Sequence, residues 1–187
     1  PRLMQAVGYQ TAMIGKWHLS SDPQGFDHWQ VLPGQGQYYN PDFKSPAGRM
    51  RIDGYCTDIV TDLSLKWLRE QRDPGKPFIL MCQHKAPHGR WEPALRHLNT
   101  FEEIKIPEPS TLFDYYSGRS AAPANHKMGI AEDIGPSRLM FRYSSKFTPE
   151  QFKIFDGHLH QHNEAFEKLN LQGRDRTRWS YQRYIKS

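Results

Sequence analysis

The chain has 187 residues, 25 Lys plus Arg against 20 Asp plus Glu, a formal net charge of +5 and two cysteines. Apolar residues make up 37%, aromatic residues 13%, and the mean hydropathy is −0.80. That length suits one domain of about 100–200 residues. The composition excludes a disordered acidic tail, a collagen-like chain, a coiled coil and a disulfide scaffold; no run nears the ~18 apolar residues of a membrane-spanning helix.

Pro1–Gly8 reads as the back half of an amphipathic helix, without an initiator Met or a leader, and Gly8 ends it. Tyr9–Ile14 reads as a buried strand, with Gly15-Lys16-Trp17-His18-Leu19 at its end. Residues 20–54 form an aromatic, Gly- and Pro-rich excursion, broken only by a short strand over Arg49–Asp53. Residues 56–71 predict a helix with Ile59, Val60, Leu63, Trp67 and Leu68 on one stripe, and Asp58 and Asp62 near its start, where the dipole favours acids. Pro74-Gly-Lys-Pro77 breaks it. Phe78–Cys82 is a continuous apolar run, read as a central parallel strand with Cys82 buried and inert.

Alternation of helix, strand, loop, helix and strand predicts an α/β layer, in which ligands sit beyond the carboxyl ends of the strands. The second half is polar and mainly helical. Ala131 and Ile134 fall in one helix, and Thr148-Pro149 starts another with an N-cap and Pro at N1. Residues 1–134 hold 15 basic and 15 acidic groups, and residues 135–187 hold 10 and 5. The surplus around Arg174, Arg176, Arg178, Arg183 and Lys186 reads as a solvated helix face, or as attraction for an anionic substrate. Nucleic-acid signatures are absent. Thr177–Ser187 is helix-patterned with no stop signal, so the chain is expected to be an internal piece of a larger domain.

Two segments carry chemistry. In an extended segment Lys16 and His18 project to the same side, where an ammonium and an imidazole suit a sulfate, phosphate or carboxylate. The plainer reading, a surface Lys beside a packed His, stays open. In His84-Lys-Ala-Pro-His88, Pro87 restricts the loop and fixes His88 for proton transfer to a leaving group. His84 alone reads as structural. His158, His160 and His162 would share the face of a strand, but their surroundings are helical and should splay them, so no metal ligand is assigned. Cys56 opens a helix, which lowers a thiol pKa, yet no partner base is identifiable.

Gly8-Tyr-Gln-Thr-Ala-Met-Ile-Gly-Lys-Trp-His-Leu19 resembles the GYxTAxxGKWHLG signature of the type I sulfatases, in the alkaline-phosphatase-like superfamily. Pro77–His88 resembles their later PFFLxxxxHxPH strand and loop. Gly25–Trp29, Pro33–Phe43 and Arg178–Lys186 are similar to the branch containing bacterial N-acetylglucosamine-6-sulfatases. The resemblance implies a partial sulfatase fold with a mostly parallel sheet flanked by helices. It implies sulfate-ester hydrolysis by a formylglycine made from the Cys of a CxPxR motif, with calcium held by acidic residues and an Asn. Lys16 matches the lysine that contacts sulfate, His18 the histidine that supports formylglycine, and His88 the one on the sulfate or the leaving oxygen. His84, His28, Gln35, Tyr38 and Trp91 are candidates for substrate contact, because loops after strands line such sites, though each serves packing equally well. A sulfated sugar or small sulfate ester is the implied partner, and the bacterial periplasm or exterior the implied compartment.

The chain also departs from the pattern. Cys56 is followed by Thr-Asp-Ile and Cys82 by Gln-His-Lys, so no CxPxR occurs, and the calcium ligands are expected outside these residues. Alternatives are a non-catalytic anion- or sugar-binding relative, or a phosphodiesterase or phosphonate hydrolase of the same superfamily.

Overall fold

In the computed structural model, which describes residues 1–126, 129–134 and 143–186, the first apolar run becomes the middle of a sheet. The chain divides into two units, residues 1–88 with 144–147 and residues 89–143 with 148–187.

In the first unit a short helix, α1 (Arg2–Ala6), leads into β1 (Gln10–Trp17), whose residues Thr11–Gly15 are all buried. β2 (His28–Pro33), β3 (Asp42–Ser45), β4 (Gly48–Arg51) and β5 (Phe78–Gln83) complete a five-stranded sheet in the order β4-β3-β2-β1-β5. β1 runs parallel to β2 and β5, whereas β3 and β4 are antiparallel additions. α2 (Cys56–Lys66), extended by one π turn over Trp67–Gln71, lays Ile59, Val60 and Trp67 on Ala12, Ile14, Leu32 and Phe43 of the sheet. Leu63 and Leu68 of the expected stripe pack at the margin of this core.

Two expectations change. The excursion over 20–54 holds β2 and β3 as well as a strand near Arg49: His28-Trp-Gln-Val-Leu-Pro33 lacks alternation because it lies between neighbours and is covered on both faces. β5 is the last strand of the five rather than a central one, with Phe78 40% exposed and Cys82 exposed. An unbroken apolar run reports what a strand is built to bury, not its place in the order.

β1 and β5 approach closely at one point. Gly15 pairs with Gln83, holds φ at +109°, and a Cβ there would lie 1.9 Å from the Gln83 carbonyl oxygen. Only glycine allows that contact.

The second unit is helical, as expected: α3 (Ala121–Ala124), α4 (Ile130–Asp133), α5 (Pro149–Lys168) and α6 (Gly173–Lys186), with a 3-10 turn at Leu95–His97. Thr148 caps α5 reciprocally: its hydroxyl accepts from the Gln151 amide (3.2 Å), and Gln151 Oε1 accepts from the Thr148 amide (2.9 Å). Thr148→Ala should cost about 1 kcal/mol, read as a lower midpoint in urea with an unchanged slope. The basic surplus is satisfied locally. Arg174 and Arg178 lie over the Phe113 ring, Arg178 also pairs with Glu108 (3.0 Å), and Arg176 donates to the Ala131 carbonyl (3.0 Å).

The three alternating histidines do not all splay. Four residues apart on α5, His158 and His162 face the same side, with ring centroids 5.7 Å apart, while His160 points to Glu164. Burial lowers the pKa of both His158 and His162, with Glu102 pulling the other way.

Candidate functional site

β1, β2 and β5 are parallel and in register, Lys16 beside Leu32 and Gly15 beside Gln83, so their carboxyl ends form one edge. His18 lies one residue beyond β1, Gln35 two beyond β2, and His84 and Lys85 one and two beyond β5. Three loops therefore converge where an open α/β sheet places ligands.

Gln35 joins the first two. Gly34 takes φ +57° and the Gly36 amide donates to the Pro33 carbonyl (3.1 Å), a tight turn that carries Gln35 over the strand ends. Lys16 Nζ donates to Gln35 Oε1 at 2.7 Å. The Gln35 amide nitrogen lies 3.1 Å from His18 Nδ1 and 3.3 Å from its Nε2. With its oxygen taken by the ammonium, the amide turns its nitrogen toward the His18 ring. Trp17 turns away to meet Phe26 edge-on, and its indole donates to the Ser21 carbonyl (2.8 Å). Alternation along β1 thus separates a packing Trp from the candidate Lys and His.

The loop after β5 is tied to the same turn. Lys85 Nζ donates to the Gln35 carbonyl (3.3 Å) and lies 4.8 Å from the centre of the Tyr38 ring. Tyr38, itself buried and stacked on Tyr55, donates its hydroxyl to the His88 carbonyl (2.8 Å). His88 is thereby held by its backbone with an exposed side chain. Lys85 was missed as a candidate; its signal was a cation in a Pro-braced loop after an apolar strand, but only the fold shows that it is 6% exposed.

The remaining candidates scatter. His84 Nδ1 is buried without a hydrogen-bond partner, and its Nε2 lies 3.8 Å from Cys82 Sγ. His28 starts β2 opposite Ala12, four register positions (about 13 Å) from Leu32, and its ring sits 6.5 Å from that of Trp67. Burial lowers its pKa, so it is a neutral packing group away from the strand ends. Trp91 belongs to the second unit, against Gly89.

Electrostatically the Lys16–Gln35–His18 set suits an anion. The Lys16 ammonium is half-buried, its partner is a neutral amide, and among the described residues it forms no ion pair. Neither cysteine supplies a nucleophile here. Burial pushes the Cys56 thiol up to about 11 against the pull of Lys85, which overturns the lowering expected from its helix start. Cys82, expected buried, is exposed beside Ser64.

Residues 1–170 match the family model described as Sulfatase. The whole chain is 41% identical to the N-acetylglucosamine-6-O-sulfatase of Bacteroides thetaiotaomicron, of which it covers 37%. Over 53% of its length it is 32% identical to a putative extracellular sulfatase Sulf-1 homolog of Caenorhabditis elegans, covering 16% of that protein. The fold superposes over 100% of the chain on BT4656, solved in complex with its substrate D-glucosamine-2-N,6-O-disulfate, with a TM-score of 0.92, 40% identity and 41% of that chain covered. The chain thus spans about two fifths of the length of the Bacteroides thetaiotaomicron relative and of BT4656. A family match over residues 1–170, which include the two strand-end segments that meet at Gln35, shows that the chain belongs to the sulfatase family.

Proposed function

We propose that these residues are an internal part of one sulfatase catalytic domain, which removes sulfate from a sulfated amino sugar such as 6-sulfated N-acetylglucosamine. The observation that carries the reading is the un-neutralised Lys16 ammonium, fixed by Gln35 beside His18 at the end of β1. Lys16 grips the sulfate oxygens by charge-assisted hydrogen bonds. His18, held beside it by Gln35, takes up a proton in the same space, and His88 donates one to the leaving sugar oxygen. Fixed cations at the developing negative charge are the main source of rate for such a group. Further support comes from the relatives: one is named an N-acetylglucosamine-6-O-sulfatase, and another holds a 6-O-sulfated glucosamine as substrate.

The calcium implied by the resemblance does not fit the residues of this site. Calcium takes six to eight oxygen ligands, many of them carboxylates, whereas this set offers an ammonium, an amide and imidazoles. Metal and nucleophile belong, on this reading, to other parts of the domain. The half-exposed apolar strand β5 is in keeping with a piece whose covering lies elsewhere.

The test is sulfate release, by ion chromatography, from 6-sulfated N-acetylglucosamine by the full-length protein. His88→Ala should lower it more than tenfold, about 1.4 kcal/mol in barrier; an unchanged rate rejects that role. No release from any sulfated sugar, with phosphodiester cleavage instead, overturns the assignment. The 187 residues alone should release nothing, and calcium-dependent turnover by them would overturn the reading as a piece.

A further inference from the structure

In the second unit, away from the sulfate motifs in sequence, three potential ligand atoms face one point. Glu102 Oε1 lies 3.3 Å from His158 Nε2 and 3.8 Å from His162 Nε2, and the ligating atoms of all three residues lie within 4.8 Å of one another. We propose that Glu102, His158 and His162 form a binding site for a divalent transition-metal ion of the zinc type.

Metal–ligand bonds of about 2.0–2.1 Å at tetrahedral angles place neighbouring ligand atoms ~3.4 Å apart. The Glu102–His158 distance already matches that edge, and the His162 distance needs a small closure. The donor set is diagnostic. Two imidazoles and one carboxylate suit zinc and its neighbours, whereas calcium and magnesium prefer oxygen alone. The backbone preorganises the pair, since residues i and i+4 of α5 rise on one side of the helix. Three protein ligands leave a fourth position for water or another group, the pattern of an open zinc site.

Around the three stand two cations. Arg183 NH1 donates to Glu102 Oε1 at 3.2 Å, and Lys186 Nζ donates to the Glu102 backbone carbonyl at 2.7 Å. Arg183 and both imidazoles approach the same Glu102 Oε1, which has two lone pairs; one takes the guanidinium and the other is left for an ion. The guanidinium then orients the ligating carboxylate, as outer partners of metal ligands do. Its positive charge weakens the site.

The full-length protein, stripped with chelator and titrated with zinc chloride alone, should bind one equivalent more than either His158→Gln or His162→Gln. His160→Gln, an exposed neighbour on the same helix, should keep that equivalent. Cobalt chloride should give the intense visible bands of a low-coordinate site in the native protein and in His160→Gln only. If all four proteins bind zinc with equal stoichiometry and affinity, the three residues form an ion-pair network and the proposal fails. Should a glutamine variant unfold, diethyl pyrocarbonate labelling of the native protein reads the same contact. Zinc should protect His158 and His162 but not His160, and equal labelling with and without zinc overturns the site.

Discussion

Lys16→Ala in the full-length protein should lower kcat/KM for a 6-sulfated glucosamine at least a hundredfold, about 2.7 kcal/mol of transition-state stabilisation. The size of the effect follows from the environment. Lys16 sits half-buried at the end of β1, bound to an amide oxygen that leaves its charge intact. In the proposed role, loss of the ammonium removes a cation from the point where negative charge grows, and among the described residues no acid paired with it is released to compensate. Lys16→Arg should recover only part of the rate, because a planar fork does not replace a point charge on a short reach. Wild-type kcat/KM in Lys16→Ala would remove this residue from the chemistry and leave Gln35 as a surface contact. Gln35→Ala should act more weakly and chiefly on KM, since it positions Lys16 and His18 rather than carrying charge.

Gly15→Ala should be the most damaging single methyl addition in the first unit, costing about 4 kcal/mol or more. Two effects combine. A side chain at φ +109° is strained wherever it points, and here it points at the Gln83 carbonyl oxygen, 1.9 Å from the new carbon. Neither partner is a flexible side chain, so β1 and β5 must separate. Their parting also breaks the common edge that places Lys16 and His18 beside Lys85. Urea unfolding of the full-length protein should show the loss as a much lower midpoint, and a change below about 1 kcal/mol would mean that the two strands yield more easily than a packed sheet should.

The parts of the site legible in the sequence were those that depend on period alone. Lys16 and His18 could be placed on one side of a strand, with Trp17 opposite, because alternation in a strand requires it. The α2 stripe and the Thr148 cap were legible for similar local reasons. What the sequence hid depends on distant pairing. Gln35 stood among several loop candidates, and nothing local distinguishes it from Gln37 as the residue that bridges Lys16 to His18. Lys85 reads as a surface charge until Tyr38 and the turn at Gln35 close over it. His28 reads as part of a loop after a strand, where ligands are contacted, but register sets it at the opposite end of β2. β2 was missed because its six residues follow neither the helical nor the alternating pattern. The histidines of α5 were weighed for a strand, and the helical pairing of His158 with His162 went unnoticed.

β5 also governs how this piece behaves by itself. A last strand with one unpaired backbone edge and a part-exposed Phe78 offers a template to any other extended segment, including its own counterpart on a second molecule. Edge-to-edge pairing of such strands therefore limits its concentration in solution.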